Sequence, residues 1–146
     1  MKEYLFVYGS LLNDIQSQMA TFLKQEGQYL GEAYIKGKLF DLGRYPGLIY
    51  LPKGEKEVFG HLYEIYNPKF CFSILDRYEG IMPNAPESSE YKRENCIIRF
   101  QEQEMESWVY LYNFETNNLK EIPSGNYLKF LQSGATDDHH EFIDSV

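Results

Sequence analysis

The sequence predicts a single α+β domain with a strand-rich, mostly non-local core. Stretches rich in β-branched and aromatic residues recur along most of the chain, bounded by Gly, Pro, Asn and Ser. Segments with helical spacing are few and are scattered among those strands rather than alternating with them in a regular order. At 146 residues the chain can bury a real core but is too short to argue for two domains. No repeat or linker divides it, so the domain is expected over residues 1–135, followed by an acidic tail over 136–146.

The elements follow in order. Residues 3–8 read as a short buried strand ended by Gly9. Asn13-Asp14 is expected to cap a helix whose apolar residues Ile15, Met19, Phe22 and Leu23 fall at i, i+4, i+7 and i+8, with Gly27 as the stop. Residues 30–41 are extended and bend at Leu42-Gly43-Arg44-Tyr45-Pro46-Gly47. A short strand over 48–51 runs into a turn at Pro52-Lys53-Gly54-Glu55. In the next strand, 58–65, the residues Phe59, His61, Tyr63 and Ile65 share one face. Asn67-Pro68 opens a second helix with a side-chain cap and proline at the first helical position. Phe70, Ile74 and Tyr78 line one stripe of that helix, with Cys71 and Leu75 alongside, and Gly80 ends it. After a Pro- and Ser-rich loop, long strands are expected over 91–101 and 105–114, joined by the charged Glu102-Gln103-Glu104. Ser124-Gly125 precedes a last short helix containing Tyr127, Leu128, Phe130 and Leu131.

Composition excludes several classes. A chain that is 43% apolar and 16% aromatic is globular rather than disordered. The net charge of −8, with no basic patch, argues against a nucleic-acid partner. No stretch approaches the roughly 18 apolar residues of a membrane span, and the start runs straight into a strand without a leader-like apolar segment. Cys71 and Cys96 follow no CxxC spacing, which suits reduced, buried thiols and a cytoplasmic protein.

Two features suggest chemistry. The Tyr8-Gly9-Ser10-Leu11 turn directly follows a strand, and such a glycine turn exposes backbone N–H groups that suit a carboxylate or an oxyanion. It lacks the glycine patterns of phosphate-binding loops. Glu79 closes the helix at Leu75-Asp76-Arg77-Tyr78-Glu79-Gly80. There the helix dipole disfavours a carboxylate, and burial beside Tyr78 and Phe72 raises its pKa further, toward the range useful for acid–base work. Each feature also has a plain structural account: Gly9 lets the chain reverse, and Glu79 is a solvated helix-terminal acid. Ser10 has no evident histidine base, since His61 sits on a strand and His139-His140 in the tail. The run Asp137-Asp138-His139-His140-Glu141 has metal-ligating residue types but reads as a solvated terminus. Cys71 falls in an apolar helical stripe and reads as core. Tyr45, Tyr91 and Tyr112 are candidates to reach a pocket.

The motifs together resemble the γ-glutamylcyclotransferase-like proteins, the group that includes the AIG2-like and γ-glutamylamine cyclotransferase proteins. The matching segments are Phe6-Val7-Tyr8-Gly9-Ser10-Leu11, Gly43-Arg44-Tyr45-Pro46-Gly47, Val58-Phe59-Gly60-His61-Leu62-Tyr63, Leu75-Asp76-Arg77-Tyr78-Glu79-Gly80, Tyr91-Lys92-Arg93 and Trp108-Val109-Tyr110-Leu111-Tyr112. They keep the family's order over roughly residues 3–131, with Ser124-Gly125 fitting as well. The resemblance implies a small mixed β-barrel, closed or nearly so, with flanking helices. It implies a cyclotransferase that releases 5-oxoproline and a free amine from a γ-glutamyl amide, with Glu79 as general acid and base. Tyr8, Gly9, Ser10 and Leu11 would hold the substrate, joined by Tyr45, Pro46, Gly47 and Tyr112. No metal or organic cofactor is implied, and the partner is a small γ-glutamyl molecule bound by a monomer or homodimer. The alternative is a non-catalytic module that binds a γ-glutamyl group or 5-oxoproline.

Overall fold

Strand β1 (Glu3–Val7) is paired along both edges, antiparallel to β4 (Glu57–Ile65) and parallel to β6 (Gln103–Tyr112). A computed structural model describes this arrangement for residues 2–12, 15 and 17–133. Strand β2 (Gly27–Asp41) pairs with β4 on one side and with β5 (Tyr91–Phe100) on the other. Because β5 also pairs along its length with β6, the order β2-β4-β1-β6-β5 returns to β2 and closes a five-stranded mixed barrel. The far end of β2 extends beyond the barrel, pairing with β3 (Pro46–Tyr50) and with the two-residue β7 (Lys120–Glu121). Closure removes sheet edges that would otherwise be open to other chains.

The interior is apolar. Leu5, Phe6, Leu62, Tyr63 and Val109 have no solvent exposure, and they pack with Leu39, Leu48, Val58 and Ile98 from neighbouring strands. Close contact between β1 and β4 depends on Gly60. A β-carbon there would stand 2.3 Å from the Val7 carbonyl oxygen and 2.5 Å from the Phe6 ring. At the closing seam Arg99 of β5 pairs with Glu57 of β4 at 2.6 Å and lies over the Tyr34 ring of β2.

Three helices flank the barrel. In α1 (Gln18–Glu26) the Ser17 hydroxyl accepts from the Ala20 N–H at 3.0 Å, so Ser17 caps the described helix. The expected Asn13-Asp14 cap lies outside the described residues, as do the acidic tail and its His139-His140. Helix α2 (Pro68–Tyr78) is capped by Asn67 with Pro68 in its first turn, as the sequence predicts. Its buried side is Cys71, Phe72 and Leu75, whereas Phe70 and Tyr78 are 47% and 45% exposed. The Phe70–Ile74–Tyr78 stripe thus lies on the more exposed side, and Cys71 and Leu75 alongside it face the barrel. Phe72 turns that face inward by packing edge-on to Trp108 of β6. Helix α3 (Tyr127–Gln132) follows Gly125, whose carbonyl accepts from the Phe59 N–H at 2.7 Å.

The β5–β6 connection also differs from expectation. Gln101 and Glu102 both have positive φ, 52° and 64°, and form a two-residue hairpin turn, so Gln103 and Glu104 belong to β6. Among the described residues, no helix is long and apolar enough to cross a membrane.

Gly60→Ala should lower stability by about 3 kcal/mol, because the new methyl must displace the backbone of β1. Urea titration should show the midpoint falling at unchanged m. A loss under a few tenths of a kcal/mol would mean that β1 does not need this close approach.

Candidate active site

Strands β1 and β6 run parallel and finish at the same end of the barrel. Just past β1 the chain reverses through Tyr8-Gly9-Ser10-Leu11, closed by a 2.9 Å bond from the Leu12 N–H to the Gly9 carbonyl. The N–H groups of Ser10 and Leu11 donate to no acceptor among the described residues. Gly9 is required by crowding, since a β-carbon there would meet the Pro46 ring at 2.8 Å. That contact ties the turn to the bend that precedes β3.

Helix α2 delivers Glu79 to this end. Gly80, at φ +76°, ends the helix with paired bonds from the Ile81 N–H to the Asp76 carbonyl (3.0 Å) and from the Gly80 N–H to the Arg77 carbonyl (3.1 Å). This double bond pattern around a left-handed residue satisfies the last carbonyls and fixes the backbone of Glu79. Asp76, one turn earlier, accepts from the Arg93 side chain at 2.8 and 3.2 Å and from the Tyr110 hydroxyl at 2.6 Å. The Arg93 guanidinium lies over the Phe72 and Trp108 rings, 4.2 and 4.6 Å from their centroids.

Between the turn and Glu79 lies a cavity of about 240 Å³, lined by both and by Phe6, Val7, Tyr45, Pro46, Tyr78, Gly80, Glu90, Tyr91 and Tyr110. Its size suits an amino-acid-sized ligand better than a larger cofactor, for which pockets of roughly 300–1,000 Å³ are usual. The floor is buried and its phenols are occupied. Tyr8 donates to the Tyr110 carbonyl at 2.5 Å and Tyr91 to the Pro46 carbonyl at 2.6 Å. Burial holds both phenols well above their ordinary range, with the neighbouring acids adding to it, so both remain neutral donors. The rim is more open: Tyr45 donates to Glu90 at 2.9 Å, and the Ser10 and Tyr78 hydroxyls stand 3.4 Å apart.

Glu79 is the electrostatic outlier. Burial of its carboxyl, then the charge of Glu90, then that of Asp76 push its pKa from 4.5 up to about 8. Near neutrality it therefore holds its proton but releases it at little cost, which is the property a proton shuttle needs.

Tyr8, Gly9, Ser10, Leu11, Tyr45, Pro46 and Glu79, all named from the sequence, line this one cavity. Gly47 and Tyr112 do not. A β-carbon on Gly47 would stand 2.9 Å from the Tyr112 Cβ, so these two pack on each other behind the wall, and Tyr112 stacks edge-on against Tyr91. Sequence reasoning passed over Glu90, Tyr110 and Tyr78 as lining residues. Register places Tyr91 and Tyr110 on the strand face shared with Arg93 and Trp108, the face that α2 covers, so alternation does not single them out as lining residues, and nothing local distinguishes Glu90 from other loop acids. His61 is buried against Tyr29 and Phe59 and does not line the cavity, so Ser10 has no histidine there. Burial pushes the Cys71 and Cys96 thiols up to about 12, which makes both inert. Among the described residues no group of three His, Cys, Asp or Glu could hold a metal ion.

Residues 5–129 match the family described as gamma-glutamyl cyclotransferase, AIG2-like, and the chain belongs to that family. A Vibrio cholerae protein provisionally named a gamma-glutamylcyclotransferase is 32% identical over 130 residues, covering 87% of this chain and 96% of that protein. The same fold occurs in the crystal structure of an AIG2-like protein from Mus musculus, with TM-score 0.59 at 21% identity over 78% of this chain and 80% of that one. It also occurs in YkqA from Bacillus subtilis, with TM-score 0.69 and 21% identity over 94% of this chain, which spans only 44% of the YkqA length.

The raised pKa of Glu79 has a consequence for stability. The folded state binds this proton more tightly than the unfolded chain does, so the associated stability is complete below about pH 4.5 and is lost as pH climbs through about 8. Glu79→Gln keeps the neutral shape at every pH. The variant should match the parent near pH 4 and exceed it at pH 9 by about 5 kcal/mol, or roughly 15 °C in Tm. Equal melting points at both pH values would show that the carboxyl is not desolvated.

Proposed function

We propose that this protein closes a γ-glutamyl amide to 5-oxoproline and frees the amine, with Glu79 moving the protons. The supporting observation is the shared cavity that sets a carboxyl of raised pKa opposite an amide-rich turn. Family membership is consistent with that chemistry.

The substrate carries its own nucleophile. Glu79, as the carboxylate, takes one proton from the α-ammonium, and the freed amine attacks the γ-carbonyl carbon to form the ring C–N bond. The N–H groups of Ser10 and Leu11 hold the α-carboxylate or the developing oxyanion, and an oxyanion donor is worth about 3 kcal/mol in comparable sites. Glu79 then gives its proton to the leaving nitrogen as the amide C–N bond breaks. The ring nitrogen loses its second proton to water, the departing amine takes one up in solution, and Glu79 ends as it began. Folding the substrate so that amine meets carbonyl supplies much of the rate, up to about 7 kcal/mol in well-oriented intramolecular reactions. The tyrosine floor, occupied by its own backbone bonds, shapes the compartment and keeps water out.

A pure binding module gains nothing from a carboxyl of raised pKa in its cavity, and this favours the enzyme. Glu79→Gln should fold, bind 5-oxoproline and lose at least about a thousandfold in kcat, within the range for a general acid–base group. Mass-spectrometric detection of 5-oxoproline from a γ-glutamyl panel checks this, and variant activity within a few-fold of the parent removes Glu79 from the mechanism. No product from any panel member, with tight 5-oxoproline binding, would indicate the binder. In the parent, kcat/KM should rise with pH through about 8, where free Glu79 ionises. The limb in kcat should lie lower, because the bound ammonium favours the carboxylate.

A further inference from the structure

The cavity contains a second carboxylate that the lactam-forming steps do not use. Glu90 stands at the rim, half-buried, and its Oε1 accepts from the Tyr45 hydroxyl at 2.9 Å. Its loop is anchored. The buried Ser89 hydroxyl accepts from the Met82 N–H at 2.7 Å, the Ser89 carbonyl accepts from Asn113 at 2.9 Å, and the Glu90 carbonyl accepts from the Asn113 N–H at 2.8 Å. Glu90 is thus a held group rather than a waving surface acid. Among the described residues no Lys, Arg or His lines the cavity. Arg44 is exposed in the bend beside Tyr45, and Arg93 is occupied by Asp76 on another face of α2.

This distribution bears on the leaving amine. The buried end of the cavity, with Tyr8, Gly9 and Tyr91, takes the glutamyl group, so the departing portion leaves past the more open Tyr45, Tyr78 and Glu90. A leaving amine with a carboxylate meets a fixed anion in the lining, while the cation whose charge reaches Tyr45, Arg44, is exposed and outside the lining. One carrying a second ammonium finds a fixed partner of opposite charge. We propose that Glu90 is a specificity-determining residue that selects γ-glutamyl amides whose leaving amine bears a further positive charge, such as a diamine, against those bearing a carboxylate, such as an amino acid or peptide. This rests on the lactam-forming function proposed above. Selection by attraction and repulsion at one position discriminates more strongly than attraction alone.

Three probes with a four-carbon leaving amine compare the charge: the γ-glutamyl amides of 1,4-diaminobutane, butylamine and 4-aminobutyrate. With the parent, kcat/KM should fall in that order, with about tenfold or more between the first and last. Glu90→Gln should shrink the spread to within about threefold, chiefly through KM, since the charge acts on binding. The same ranking should appear in dissociation constants measured calorimetrically with Glu79→Gln, where no turnover interferes. Turnover of all three probes at equal efficiency, or a spread that survives in Glu90→Gln, overturns the role of Glu90 and leaves the lactam-forming function standing. Ranked binding without any turnover keeps the selectivity and refutes the reaction. The parent ranking needs no variant, so a poorly folded Glu90→Gln cannot shield the proposal.

Discussion

Pairing β1 on both edges dictates where everything else in the site must be. A strand flanked antiparallel by β4 and parallel by β6 is locked in register on both sides, and its residues 5–7 are buried. Because β4 runs the other way, it ends beside the start of β1, with Ile65 opposite Glu3. Helix α2 begins there and travels back. Its 11 residues rise about 16 Å, much as the five residues of β1 span about 16 Å. The end of α2 therefore arrives level with the end of β1. The meeting of Glu79 with the Tyr8–Leu11 turn follows from chain lengths and strand directions. No local signal in either motif encodes it.

The cost of the arrangement falls on one group. Asp76, in the last turn of α2, is neutralised by Arg93 and receives the Tyr110 hydroxyl. Tyr8 and Tyr91 give their hydroxyl protons to backbone carbonyls. These side chains around the cavity are thus satisfied internally, whereas among the described residues Glu79 has no cationic partner. An ion pair would have stabilised the fold and held the carboxylate charged, removing the ability to exchange a proton near neutrality. The arrangement trades stability for a proton that can leave and return.

Much of this was legible in the sequence, for identifiable reasons. Asn67-Pro68, Gly80 and the 58–65 strand speak through local chemistry, which sequence carries directly. In α2, Phe70, Ile74 and Tyr78 share a stripe by spacing, but the barrel surface takes up the neighbouring Cys71, Phe72 and Leu75. Which of two plausible stripes faces inward is decided by the partner, here Trp108, and not by the helix. The β5–β6 turn was misplaced by the charge of residues 102–104, although exposed hairpin ends tolerate charge well inside a ladder. Strand β7 is two residues long and exists only because β2 passes beside it. At the site, residues tied to backbone geometry (Gly9, Pro46, Glu79 before a helix-ending glycine) were readable. Gly47 and Tyr112 differed from expectation because adjacency to a lining residue in sequence does not fix the side of the wall. Barrel closure came from family resemblance, since contacts such as Tyr34 with Arg99 are far apart in the chain.

A substrate that brings both nucleophile and electrophile changes what the protein must specify. In the proposed reaction the reacting atoms belong to the glutamyl portion, which is common to every γ-glutamyl amide, so the floor and Glu79 would confer reaction type but no choice among leaving amines. On that proposal choice would reside in groups that the departing portion passes, the cavity-lining Tyr45, Tyr78 and Glu90 on three different segments. The bend before β3, the end of α2 and the loop before β5 contribute one each. None of the three is buried in the barrel core, so their side chains can change without disturbing the closed sheet that fixes the reaction. On the proposed function, chemistry would thereby be held by the most constrained part of the fold, and selectivity by the part where substitution costs least.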